Sequence, residues 1–290
     1  MADKQRYFIE LAYDGTAYHG WQVQQNAHSV QEALNKALAI ILRQPVETTG
    51  CGRTDTGVHA KEFFAHFDVA AHESSVIDRS GKEEANAPSI IVGGKAKDEV
   101  QDVLVMNNEL SAMSQKVRGL NSILPADISI KNIIPVHEGA HARFDATLRS
   151  YQYHIHFNKD PFLRGYSWQL RDVPDMELMN QAAAMIMDYI DFSCFSKSNT
   201  QVKTNNCKIS RAEWVKTEQG MVFHISADRF LRNMVRAIVG TLMMVGKGEI
   251  RPEAVRGIIE SKNRSNAGMS VPACGLYLTE VKYPYLVASS

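Results

Sequence analysis

The sequence predicts an α+β protein made of two halves with antiparallel sheets, and three observations carry that expectation. Stretches of period-two alternation and stretches of helical spacing are mixed along the whole chain. Turn signals join neighbouring strand patterns as hairpins, which points to antiparallel pairing with helices packed on the sheets. The 290 residues suffice for one large or two ordinary cores, and we place the halves at 1–140 and 141–290.

Each element has a local reason. Tyr7 to Tyr13 alternates as a strand and stops at the turn pair Asp14-Gly15. Ser29 with Glu32 forms a capping box ahead of Val30, Ala33, Leu34, Ala37, Leu38, Ile41 and Leu42, which share one helical face. Phe63, Ala65, Phe67 and Val69 alternate with Phe64, His66 and Asp68, the pattern of a strand with one face on a core. From about Ala71 to Val105 the pattern gives way to charged, Gly- and Ser-containing sequence, read as an insertion at 71–105. Helical spacing resumes at Leu110, Met113, Val117 and Leu120, and Ile128, Ile130 and Ile134 predict a strand that closes the first half.

In the second half, Tyr151, Tyr153, Ile155 and Phe157 alternate with polar residues along a strand. A helix is predicted from Asp175 to Tyr189, with Leu178, Ala182, Ile186 and Tyr189 turned inward. Lys208 to Lys216 and Met221 to Ala227 read as a hairpin about Glu218-Gln-Gly220. A helix from Phe230 to Val245, another from Pro252 and a last strand through Leu276, Leu278 and Val281 complete the chain.

Composition narrows the function classes. Apolar residues at 44% and charged residues at 22% describe a folded globular protein. No apolar run reaches membrane-spanning length and the first residues lead directly into a strand pattern, so the expected location is the cytoplasm, with no membrane partner. Cys51, Cys194, Cys207 and Cys274 lack paired spacing, and neither a zinc site nor a disulfide framework is expected. Lysine plus arginine equals aspartate plus glutamate, 32 against 32, so bulk charge does not announce nucleic acid. A local basic groove stays open through Arg53, Arg143, Arg149, Arg164, Arg229, Arg232 and Arg236.

The chemistry centres on Gly50 to Ala60, Gly-Cys-Gly-Arg-Thr-Asp-Thr-Gly-Val-His-Ala. Gly50, Gly52 and Gly57 permit positive φ and close approach, and Thr54 and Thr56 offer hydroxyls to orient Asp55. The competing reading is an ordinary Asx-type turn. On a helix starting at Phe230, Arg229, Arg232 and Arg236 would share one cationic face, either solvated or facing an anion such as phosphate or Asp55. Tyr151 offers a ring for base stacking, and Tyr153 suits the core. Cys51 with His59 as nucleophile and base, or His154 with His156 as metal ligands, find no further partners in the sequence. No Gly-x-Gly-x-x-Gly, P-loop, His-Glu-x-x-His or Gly-x-Ser-x-Gly is present, and no cofactor or metal is expected.

These residues fall in an ordered series: Tyr13-Asp-Gly-Thr, Gly20-Trp-Gln, Gly52-Arg-Thr-Asp-Thr-Gly-Val-His-Ala60, His141-Ala-Arg-Phe, Tyr151-Gln-Tyr, Asn233-Met-Val-Arg-Ala-Ile-Val-Gly-Thr241 and Gly275-Leu-Tyr-Leu278. The series resembles the A family of tRNA pseudouridine synthases nearly end to end. The resemblance implies two similar α/β-sandwich halves sharing a mostly antiparallel central sheet, with helices on one side, a basic cleft between the halves, and a homodimer. It implies isomerisation of uridine in the anticodon stem-loop of tRNA, at positions 38 to 40. Asp55 would be the catalytic nucleophile or base, its charge favoured by Arg236, with Tyr151 stacked on the uracil and helping to remove the C5 proton. Arg53 and Leu276 would complete the substrate pocket, and Arg143, Arg229 and Arg232 would contact RNA. Cys51, between Gly50 and Gly52, and Asp228, ahead of Phe230-Leu231, depart from the family pattern. A non-catalytic RNA-binding protein would not need Asp55, and a metal-dependent nuclease would assemble Asp55, His59 and Asp68.

Overall fold

A computed structural model describes residues 4–70, 111–196 and 204–286. The predicted insertion at 71–105 lies outside the described residues. The rest is mixed α/β: one mostly antiparallel sheet of nine strands and, among the described residues, five α-helices.

Seven strands form the main path of the sheet. Their order is β4 (Ile128–Val136), β1 (Lys4–Tyr13), β3 (His59–Ala70), β9 (Leu276–Lys282), β5 (Leu148–His156), β8 (Gly220–Ala227) and β7 (Ile209–Lys216). Two short strands hang off it, β2 (Thr49–Gly50) on β3 and β6 (Trp168–Gln169) on β5. The predicted hairpin is β7–β8, paired antiparallel from Ile209/Ala227 to Lys216/Met221. The chain's last strand joins the sheet's two flanks. β9 runs parallel to β3 at His59/Tyr277 and Ala60/Leu278, and antiparallel to β5, where Leu278 faces Tyr151. One strand therefore separates the start of β3, just beyond the Asp55 loop, from Tyr151.

The helices follow the predicted faces, with two corrections. α1 (Val30–Leu42) buries Val30, Leu34, Ala37 and Leu38, and Ser29 Oγ accepts from the Glu32 amide at 3.3 Å. The return half of the capping box is absent, because the Glu32 carboxylate takes Lys36 Nζ at 2.6 Å. α2 covers 111–123. α3 (Met176–Ile186) stops three residues before the expected Tyr189 and buries Met179 and Ala183 beside Ala182 and Ile186.

The larger correction concerns α4 (Met234–Gly246), which begins four residues after Phe230. Asn233 sits at φ 65° ahead of it, a left-handed conformation that asparagine tolerates and that ends any helical run. Arg229 and Arg232 are therefore not on the helix, and the cationic helical face does not exist. α4 is instead buried almost all round, from Met234 and Val235 to Val245. α5 (Ala254–Glu260) packs beside α3.

Two apolar clusters fill the molecule. One gathers Phe8, Leu34, Phe63 and Phe67, and Trp21 stacks on Phe63 at 4.1 Å. It also takes in Ala142, Leu278 and Tyr283 from far along the chain. The other gathers Tyr153, Ala183, Phe223 and Ile238. Burying one such large side chain is worth about 1.5–3 kcal/mol. The alternation in β3 misleads, since Phe64 and His66 are buried as well as Phe63 and Phe67. Tyr283 covers Phe64 edge-on at 5.3 Å, and the Ala142 amide donates to His66 Nδ1 at 3.1 Å. Burial lowers the His66 pKa to about 4, which keeps Nδ1 free to accept that bond. Among the described residues no helix is long and apolar enough to cross a membrane.

Candidate active site

The loop that carries Asp55 is clamped on both flanks. Its start is tied to β3, with the Cys51 amide donating to Phe64 O at 2.7 Å. Its middle is tied to the segment after β1, where the Trp21 amide donates to Thr54 O at 3.3 Å and the Gly57 amide to Tyr18 O at 3.3 Å. That contact requires glycine at 20, which stands at φ +90° and whose Cβ would lie 2.3 Å from Thr54 O. Gly57 turns the chain at φ +75°, and the Val58 amide closes back on Asp55 O at 3.1 Å. Of the three loop glycines only Gly57 has positive φ; Gly50 lies against the Trp21 ring, and Gly52 faces open space. Thr54 does not orient the carboxylate: its hydroxyl is buried against the Tyr13 hydroxyl at 2.9 Å and anchors the loop to β1.

Asp55 is left without a hydrogen bond to its carboxylate among the described residues, 23% exposed, facing two guanidinium groups. Arg232 Nε stands 3.6 Å from Oδ1 and Arg236 Nη1 3.7 Å from Oδ2. These distances allow Coulomb attraction but are too long for hydrogen bonds, so the carboxylate retains its lone pairs. Arg236 is held by its other edge, Nε donating to Val271 O at 2.7 Å, while the Val271 amide donates to Arg236 O. It sits in the first turn of α4, whose positive end also favours an anion at this point.

A cleft of about 620 Å³ opens over the carboxylate. Arg53, Asp55, Arg232 and Arg236 line it, together with Asn233, which opens the Asn-Met-Val-Arg run, and Arg264, which carries no local signature in the sequence. Asn233 Nδ2 and Arg264 Nη2 both donate to Ser270 Oγ and so fix that wall. His19, Gln22 and Gln24 form another part of the lining.

The remaining predicted residues stand outside that lining. Tyr151 lies within electrostatic reach of Asp55, with its ring edge-on to Phe230 at 5.0 Å. Burial, then the neighbouring Cys51 and Asp55, raise its pKa above the ordinary phenol value, so it stays a neutral phenol near pH 7 and is not a resident phenolate base. Leu276 is buried on β9 opposite Tyr153, whose hydroxyl donates to Pro272 O at 2.8 Å. Arg143 and Arg229 are grouped instead with Arg53 and Arg149, and packing followed by these like charges lowers the Arg143 pKa.

Arg149 is the residue whose part could not be read locally. It is 8% exposed, and its two terminal nitrogens donate to four backbone carbonyls. Nη1 reaches Ala146 O at 2.9 Å and Asp228 O at 2.7 Å; Nη2 reaches Cys51 O at 3.0 Å and Arg143 O at 2.6 Å. One guanidinium thus ties the Asp55 loop to the turn before β5 and to the segment that leads to α4. The Asp228 carboxylate is not among the groups lining the cleft; its Oδ1 accepts from the Lys208 and Arg229 amides at 2.8 and 2.7 Å.

The competing constellations are not assembled. Burial pushes the Cys51 thiol up to about 11, and His59 is buried beside Asp14, 2.9 Å from its carboxylate, and stacked on Tyr277. Asp68 is held in a two-point contact by Arg6 at 2.7 and 2.8 Å, so it is engaged away from Asp55. His154 bonds Gln152, and no group of three or more His, Cys, Asp or Glu placed to hold a metal occurs among the described residues.

The site belongs to a chain with many relatives. The profile of the tRNA pseudouridine synthase family matches residues 189–284. The tRNA pseudouridine synthase A of Bacteroides thetaiotaomicron is 48% identical over 283 residues, covering 97% of this chain and 91% of the relative. That of Bacteroides fragilis is 46% identical over 281 residues, covering 97% of each chain. A more distant one, from Coxiella burnetii, is 34% identical over 282 residues, covering 96% of this chain and 93% of the relative. With identity of this degree over nearly its full length, the chain belongs to the tRNA pseudouridine synthase A family, isomerases that convert uridine to pseudouridine in tRNA.

Proposed function

We propose that this chain isomerises uridine in the anticodon stem-loop of tRNA, at positions 38 to 40, with Asp55 as the reacting group. It would work in the cytoplasm as a homodimer, each chain built of two similar halves, 1–140 and 141–290, with the substrate cleft between them. The observation that carries the reading is the Asp55 carboxylate: unbonded, at the floor of a cleft, held between two cations at 3.6 and 3.7 Å.

The reaction breaks the C1′–N1 bond, turns the freed uracil and closes a C1′–C5 bond. The C5 proton leaves and N1 gains one, so the product is an isomer and nothing is oxidised. The carboxylate of Asp55 attacks or deprotonates the substrate, with Arg236 and Arg232 stabilising its charge before and after. Arg53, Arg143, Arg229 and Arg232 supply positive charge for the RNA backbone. Tyr151 would stack on the uracil as a neutral ring, with Leu276 part of the apolar wall, and the nucleotide enters flipped out of its stack.

Asp55→Ala is expected to retain tRNA binding and to lose pseudouridine formation by on the order of 10⁴-fold or more. Position-resolved pseudouridine mapping on tRNA treated with either protein checks this. Substantial product from the variant would remove Asp55 from the chemistry.

A further inference from the structure

The turn 141–145 beside the Asp55 loop presents an aromatic side chain that the chemistry above does not use. Phe144 is 74% exposed, although it lies in a segment whose every other feature is fixed. The His141 amide donates to Asp145 Oδ2 at 2.7 Å, and the Arg143 and Phe144 amides converge on His141 Nδ1 at 3.1 and 3.3 Å. From outside the turn, Tyr285 Oη donates to Asp145 Oδ2 at 2.8 Å and Tyr283 Oη to Ala142 O at 2.6 Å. Beneath the Phe144 ring lies the His141 ring, 4.2 Å away and tilted by 33°. The phenylalanine is therefore preorganised rather than loose, and among the described residues only the His141 ring and the Arg143 guanidinium approach it, leaving most of its surface open.

Its surroundings are cationic. The carbonyls of Cys51, Arg143 and Asp228 all converge on Arg149, which brings the neighbouring Arg53, Arg143 and Arg229 around one point. None of these three pairs with a carboxylate among the described residues. The acids nearest in sequence to Arg143 and Arg229 are engaged elsewhere, Asp145 by Tyr285 and His141, and Asp228 Oδ1 by the amides of Lys208 and Arg229, while Asp55 faces Arg232 and Arg236. The Arg143 guanidinium lies 5.7 Å from the Phe144 ring centre, so ring and cation form one surface.

An exposed, rigid π-face beside unpaired guanidiniums fits one kind of ligand, an unpaired nucleotide, whose base stacks while its phosphate meets the arginines. We propose that Phe144 is a stacking platform for a base of the tRNA other than the target uridine, with Arg53, Arg143 and Arg229 on the adjoining phosphates. The platform is a second subsite on the same substrate, adjoining the cleft over Asp55 through Arg53, which lines that cleft, and it rests on tRNA being that substrate.

The test is a fluorescence and affinity series in the Asp55→Ala background, where binding is read without turnover. F144W would add an exposed indole to a protein whose Trp21 and Trp214 are buried and whose Trp168 is half-buried. The F144W emission is expected to be quenched on titration with tRNA, at an affinity close to that of the unsubstituted chain. Phe144→Leu, which keeps apolar bulk without a π-face, and Phe144→Ala should both bind roughly 5- to 100-fold more weakly. Quenching together with weakened binding of Leu and Ala supports the platform. An unmoved F144W emission at saturating tRNA, or Phe144→Ala binding as tightly as the parent, overturns it. Turnover of the same tRNA by the wild-type chain is measured alongside: product there with no F144W response sinks the platform alone, whereas no product sinks the assignment of the site.

Discussion

Arg149 on one side of the Asp55 loop and the pair Arg232 and Arg236 on the other are the same residue type in opposite states. Arg149 is buried and saturated, with four carbonyl acceptors at 2.6 to 3.0 Å and no carboxylate. Arg232 and Arg236 face a carboxylate and yet stop 3.6 and 3.7 Å short of it. The first arrangement spends all the directional donors of its terminal nitrogens inside the fold, so it can only hold. The second leaves donors and lone pairs unmatched at the edge of a cleft, where a substrate can complete them. The difference teaches that charge alone does not mark a functional arginine; the unmade hydrogen bonds do.

The largest expected effect removes the saturated side. Arg149→Met strips four carbonyls of a donor, two of these bonds being buried and two partly buried, and a lost donor to a buried acceptor costs about 1–3 kcal/mol, reduced where water enters. We expect a loss of about 3–5 kcal/mol in urea unfolding, comparable to breaking a buried charged contact. Arg149→Lys should recover little of it, because one ammonium cannot span the two pairs of carbonyls that Nη1 and Nη2 reach separately. If Lys restored full stability, the four-way geometry would not be what holds the loop.

The unsaturated side should respond the other way round. Arg236→Ala is expected to lower pseudouridine formation by about 10²–10³-fold, the range seen when a preorganised charge stabiliser is removed. Its unfolding free energy should fall by no more than about 1 kcal/mol, since only the bond to Val271 O is lost from the fold. The contrast between the two arginines would collapse if Arg236→Ala cost as much stability as Arg149→Met and no more activity.

How much of this could be read from sequence follows the same division between local and distant partners. The β7–β8 hairpin, α1 and the first strand were legible because each is specified by its own periodicity and turn residues. The start of α4 was not: Arg229, Arg232 and Arg236 fall at helical spacing by coincidence, and the left-handed Asn233 interrupts the run. The two-sided burial of Phe64 and His66 depends on Tyr283 and Ala142, more than seventy residues from either in sequence, so alternation alone could not show it. Asp55 stood out because its loop is locally odd for a carboxylate. Arg149 did not, because its carbonyl acceptors on Cys51 and Asp228 come from 98 and 79 residues away and carry no side-chain signature.

The smallest effect sharpens the comparison within the unsaturated pair. Arg236 is anchored to Val271 and only 20% of its side chain is exposed, whereas Arg232 is 58% exposed, lies before the helix and, among the described residues, its side chain makes no bond beyond its approach to Asp55. An exposed ion pair of this kind is worth about 0–1 kcal/mol, so Arg232 contributes little to stability. Its donors remain free for a phosphate. Arg232→Ala should therefore leave unfolding unchanged and weaken tRNA binding only a few-fold at a given salt concentration. The slope of log affinity against log salt should become shallower by roughly 0.7–0.9, the value of one lost phosphate contact. An unchanged slope with slower turnover would instead place Arg232 with Arg236, as a second guanidinium acting on the Asp55 carboxylate rather than on the RNA backbone.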